Sequence, residues 1–104
     1  MFIGKVIGKV VSTKKEDSLQ GRRLVILRPQ LVDSADPSKF KEGANTIVAV
    51  DTLGVGEGEW VLFAQGSSAR QVEGLKSVPV DASVVGIVDS VSVKGNTTYQ
   101  GSAS

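Results

Sequence analysis

The chain has no cysteine and no histidine among its 104 residues. Without cysteine there is no disulfide, no zinc–thiolate site and no cysteine nucleophile. Without histidine the usual general base and the usual nitrogen ligand for transition metals are missing too. Aromatic residues are few: Phe2, Phe40, Trp60, Phe63 and Tyr99. No apolar run reaches the ~18–20 residues of a membrane span, and no signal-peptide pattern follows Met1. A soluble cytoplasmic protein with no membrane partner is the expectation. The length fits one small domain. A core of that size is limited, and oligomerisation is one way to bury more surface.

Net charge is +1, which gives no general reason to expect a polyanion. The charge is nevertheless split. Residues 1–28 carry Lys5, Lys9, Lys14, Lys15, Arg22, Arg23 and Arg28 against Glu16 and Asp17, an excess of five positive charges. The remainder carries five basic and nine acidic residues, an excess of four negative charges. Such polarity suits a solvated basic face, a nucleic-acid contact, or pairing between neighbouring subunits.

Along the chain the period is two. Phe2 to Thr13 alternates and predicts a strand with Phe2, Val6 and Val10 inward, on the same face as Gly4 and Gly8. Lys14 to Gly21 reads as a connection, and Arg22 to Arg28 as a second strand with an LVIL centre apolar on both faces. Pro29, which lacks an N–H, is expected to end pairing there. Gln30 to Asn45 reads as the longest loop, pinned by Phe40. Thr46 to Asp51 predicts a third strand and Glu59 to Ala64 a fourth, joined by a turn with Gly54, Gly56 and Gly58. Ser67-Ser68-Ala69-Arg70 predicts the start of a short helix reaching about Leu75. Ser77 to Asp81 is extended, Ala82 to Val93 the fifth strand, and Lys94 to Ser104 a loose tail or hairpin arm. The fold class is mainly all-β: a five-stranded barrel of oligonucleotide-binding (OB) type with one short helix. The barrel domain is placed at 1–93 and the tail or arm at 94–104.

Little in the chain carries chemistry. The Gly54–Gly58 loop superficially resembles a phosphate cradle, but a strand follows it where such a cradle needs a helix. Ser67, Ser68 and Arg70 suit capping of a helix start better than an anion site. Asp51, Glu57, Glu59, Asp81 and Asp89 lack the dense spacing of a cation loop, so no metal and no cofactor is expected. Trp60 and Phe63 have opposite parity, so one of them points away from the interior. An outward aromatic on a small barrel suits a protein partner.

Three motifs, in order, carry a family resemblance. They are the opening FIGKVIGKVVSTKK with the LxGRRLVIL hairpin, the run VAVDTLGVGEGEWVL, and GSSAR followed by PVDASVVGIVD. Over residues 2 to about 93 the chain resembles the bacterial microcompartment vertex proteins of the EutN/CcmL type. It departs at Val55, where that family usually has alanine. The resemblance implies a structural shell protein and not an enzyme: a β-barrel forming cyclic homopentamers at the vertices of a carboxysome or metabolosome shell in the cytoplasm. It implies partnership with hexameric and pseudohexameric shell proteins, and none with nucleic acid. It further implies that Gly54, Val55, Gly56, Gly58, Glu59, Ser67, Ser68, Arg70 and Asp81 lie at the subunit boundary and five-fold axis. Lys14, Lys15, Arg22 and Arg23 are then candidates to face the hexamers. The rival reading is an OB-like module binding nucleic acid or a ligand.

Overall fold

A computed structural model describes residues 1–11, 22–36, 38–66 and 82–101. Eight strands form among them: β1 (Phe2–Val10), β2 (Arg23–Val32), β3 (Phe40–Glu42), β4 (Ile47–Asp51), β5 (Trp60–Gln65), β6 (Ala82–Ile87), β7 (Ser90–Val93) and β8 (Asn96–Gln100). The predicted short helix falls outside the described residues.

Five strands close a barrel. Pairing runs β1–β5–β6–β4–β2 and returns to β1, antiparallel except where Val50 of β4 meets Ser83 of β6 in parallel. Counting barrel strands alone, the third lies beside the fifth and the fourth beside the first, a closed Greek-key order of the OB kind. Closure removes the free edges that a small open sheet would expose. The five predicted strands are the five of the barrel.

Side-chain alternation fills the interior. Val25 and Leu27 of β2, Val61 and Phe63 of β5, and Val84 of β6 are fully buried in one cluster, with Phe63 the largest member. On β2 the neighbouring Leu24 and Ile26 are half-buried on the opposite face, so the LVIL run does serve two environments. Gly4 has a steric reason. A Cβ there would stand 2.9 Å from the Phe63 ring and 3.5 Å from the Leu27 Cβ.

Three sequence expectations are corrected. First, Val10 does not share the inward face with Val6. The β1–β2 register shifts between Val6 and Gly8, so Val10 pairs with the outer Leu24. A bulge of this kind inserts one residue and reverses the side-chain parity beyond it. Ile7 sits there, 42% exposed. Phe2, also expected inward, is 47% exposed, although its ring stacks on Phe63 at 5.5 Å. Second, Pro29 does not end β2. Its carbonyl still accepts the Gly43 N–H at 2.8 Å, and beyond it the strand exchanges β1 for β3, pairing Gln30 to Val32 with Glu42 to Phe40. Arg28 secures this junction by donating to the Gly43 and Ala44 carbonyls at 3.2 and 3.3 Å. Third, the last strand breaks at Val88 and Asp89, and the chain turns into the β7–β8 hairpin. Lys94 and Gly95, both at positive φ, make its two-residue turn.

Both peripheral segments are tied down by one aromatic stack. Trp60, outward on β5, lies 4.3 Å from the Tyr99 ring of β8 and 5.0 Å edge-on from Phe40 of β3. Phe40 thus pins its loop as expected, and the β7–β8 hairpin, Ser90 to Gln100, is held on the same ring.

Gly4→Ala tests the packing argument. Phe63 has nowhere to go, so overpacking outweighs the small gain from restricting the unfolded chain. Urea unfolding is expected to show a loss of about 1–3 kcal/mol.

Candidate functional site

The most organised feature outside the core is the loop from Asp51 to Trp60, between β4 and β5. Asp51 ends β4, and its side chain is wholly buried. Its Oδ1 accepts the N–H groups of Leu53 at 2.8 Å and Gly54 at 3.1 Å. Its Oδ2 accepts the Val55 N–H at 2.8 Å and faces the Arg23 Nε at 3.3 Å. Aspartate builds such turns because its short side chain reaches amides two to four residues ahead. Here both oxygens have partners, so the carboxylate serves the loop and its charge does not stand alone. Hydrogen bonds to a charged group are each worth about 1.5–3 kcal/mol. Losing them would leave a buried charge without compensation.

The second half of the loop has its own brace. Glu59 Oε1 accepts the Gly56 N–H at 2.6 Å, and the Glu59 N–H donates to the Gly56 carbonyl at 3.2 Å. The Gly58 N–H donates to the Val6 carbonyl at 2.8 Å, and the Val6 N–H returns a bond to the Glu59 carbonyl at 2.9 Å. The loop is thereby laced to β1 and is part of the barrel wall. Gly54 at φ +80° and Gly58 at φ +89° occupy the left-handed region.

The boundary residues expected from sequence are therefore placed unevenly. Gly54, Gly56, Gly58 and Glu59 stand together on this loop. Gly54 and Gly58 are exposed, and among the described residues nothing stands within 4 Å of where their Cβ atoms would be. Val55 differs: it is fully buried in the core cluster and anchors the loop from inside. Ser67, Ser68, Arg70 and Asp81, and the basic pair Lys14 and Lys15, lie outside the described residues. Arg23 opens β2, and Arg22 directly precedes it. Arg23 is already engaged, with its Nε on Asp51 and its Nη2 donating to the Val55 carbonyl at 2.5 Å. Sequence reading missed the roles of Asp51 and Arg23. The signal was present as an aspartate three residues before a glycine, a turn pattern, but the arginine partner is remote in sequence.

Beside the loop lies a cleft of about 390 Å³ lined by Glu57, Gly58 and Glu59 on one side and Val88, Asp89 and Tyr99 on the other. Among the described residues its polar groups are carboxylates, a phenol and amides. No nucleophile–base pair is assembled there. All five aromatic rings are also spoken for, Phe2 by Phe63, and Trp60 by Phe40 and Tyr99. Trp60 is half-buried, with Tyr99 stacked on it and Phe40 against it edge-on, so it is engaged within the chain.

A closed five-stranded barrel with a braced glycine loop belongs to the class of small OB-like β-barrel domains. The chain is a member of the EutN/CcmL family, whose model, "Ethanolamine utilisation protein EutN/carboxysome", matches residues 1–89. It is 48% identical over 100 residues to the carboxysome shell vertex protein CcmL of Gloeobacter violaceus, covering 95% of this chain and 93% of that one. The solved structure of that CcmL superposes with a TM-score of 0.82 at 46% identity, covering 96% and 97% of the two chains. The microcompartment shell vertex protein GrpN of Rhodospirillum rubrum is 47% identical over 91 residues, covering 88% of this chain and 96% of GrpN. Its structure, described as a pentameric microcompartment shell protein, matches with a TM-score of 0.72 at 45% identity over 89% and 98% of the chains.

Positive φ at Gly54 and Gly58 makes a side chain costly there. Gly54→Ala and Gly58→Ala are each expected to lower subunit stability by about 1–2 kcal/mol. Thermal unfolding of the two variants beside the parent protein checks this.

Proposed function

We propose that this chain is a structural shell protein that assembles into homopentamers and closes the vertices of a bacterial microcompartment in the cytoplasm, without catalysing a reaction. The observation that carries the reading is the joint match, in sequence and in fold, to a pentameric shell protein over nearly the whole barrel. The physical logic agrees. A flat sheet of six-fold tiles closes into a polyhedron only where five-fold points interrupt it. A ring of five arises from a heterologous interface, in which one patch of each subunit meets a different patch of the next. The exposed, braced Gly54–Gly58 backbone is suited to a crowded axis, because a preformed loop loses little conformational freedom on association.

Gly56 supplies the sharpest residue-level support. It does not need positive φ, and an added Cβ would meet nothing closer than Glu59 Oε1 at 3.5 Å, an ordinary contact. Nothing among the described residues explains glycine there, whereas close approach of a neighbour would. The OB-like binding module is the weaker reading, because its stacking platform is consumed by intramolecular ring contacts. Hexameric and pseudohexameric shell proteins are the proposed partners, with Lys14, Lys15 and Arg22 as the residues proposed to meet them.

Three experiments test this. Five copies of a 10.9 kDa chain give about 55 kDa by light scattering at micromolar concentration, and a monomer would overturn the reading. Gly56→Ala is expected to leave subunit unfolding within about 1 kcal/mol of the parent while promoting dissociation of the pentamer. Charge reversal at Lys14, Lys15 and Arg22 is expected to weaken co-assembly with hexameric shell protein and leave the pentamer mass unchanged. Undiminished co-assembly would remove the tile-facing role.

A further inference from the structure

We infer that Arg23, through Asp51, is a positioning residue that sets the glycine loop for subunit assembly, and that it does not act as a contact to shell tiles. The inference rests on the pentamer reading and deepens it. Arg23 and Asp51 are register partners on β2 and β4, so the backbone already holds them side by side. From that position one guanidinium reaches two loop atoms. Its Nε faces Asp51 Oδ2, and its Nη2 donates to the Val55 carbonyl. The same Oδ2 accepts the Val55 N–H. Residue 55 is therefore gripped at its amide by Asp51, at its carbonyl by Arg23, and at its side chain by the core. Immediately beyond it, Glu59 holds the Gly56 amide. The Gly54–Gly56 backbone is thereby fixed before any neighbour arrives.

The chemistry specifies arginine. A planar fork delivers two N–H groups to acceptors in a fixed geometry, while a lysine ammonium is a point charge on a flexible stem. As an exposed ion pair this contact would be worth little, and the Arg23 side chain is 47% exposed. Its value is in orientation. Asp51 is the deeper element of the two. An asparagine in its place would set an NH2 group against loop N–H donors on one side or the other, because both oxygens accept amides.

The test uses the full-length chain as Arg23→Gln, Arg23→Lys and Asp51→Asn. Hydrogen–deuterium exchange reads the loop amides, and light scattering over a dilution series reads the pentamer. Arg23→Gln and Arg23→Lys are expected to speed exchange of the loop peptide about ten-fold and to raise the half-dissociation concentration by about the same factor. Asp51→Asn is expected to exceed both effects. Failure of lysine to rescue separates fork geometry from charge. Arg23→Gln sits on a half-exposed side chain and opens no core, so folding survives for the comparison. Unchanged loop exchange and unchanged dissociation in Arg23→Gln would overturn the inference. So would an intact pentamer that had lost co-assembly with hexameric shell protein. A parent protein that is monomeric at micromolar concentration would fail the pentamer reading itself and remove the assembly role, with loop exchange still judging the grip on residue 55.

Discussion

A buried carboxylate at the end of a strand is the constraint around which this molecule is arranged. Asp51 lies beside a core built almost wholly of valine, alanine, leucine and one phenylalanine. An uncompensated charge there would be prohibitive. The chain compensates by bending its next residues so that three successive amides point back at the two oxygens, and by bringing Arg23 across from β2. Every buried side-chain polar atom among the described residues has a partner. The shape of the loop is thus a consequence of charge satisfaction, and the glycines are what permit it.

The same loop is continuous with the barrel wall. Val55 enters the core, Gly58 and Glu59 exchange bonds with Val6 of β1, and Glu59 braces Gly56. A surface feature with that many ties is stiff. Stiffness matters for a ring of identical subunits, because each interface must recur at the same angle for the ring to close. A loop that ordered itself only on contact would lower affinity and blur that angle.

The outer layer follows a similar economy of rings. Phe40, Trp60 and Tyr99 come from three different segments and meet in one stack, so the β2–β3 extension and the β7–β8 arm are both held against β5. Aromatic pairs add about 0.5–1.5 kcal/mol beyond their buried area. With so few aromatics, using three of them to dock arms leaves only Phe2 substantially exposed, too little for a platform that stacks successive bases, and this favours the shell-forming reading over the binding-module one.

By itself the sequence determined the class of structure. Alternation of period two marked the five barrel strands, turn residues marked their joints, and the lack of histidine and cysteine narrowed the chemistry. Those signals are local, because side-chain parity and turn propensity act within a few residues. Tertiary structure decided what depends on a partner. The Ile7 bulge arises from pairing with β2, and the passage of β2 beyond Pro29 depends on β3 being there to replace β1. Asp51 read as one scattered carboxylate among several until folding set Arg23 beside it, and Val55 read as surface until its loop turned inward. Hydrogen bonds between residues some thirty positions apart leave no period in a sequence, since only the closed barrel brings their atoms within reach.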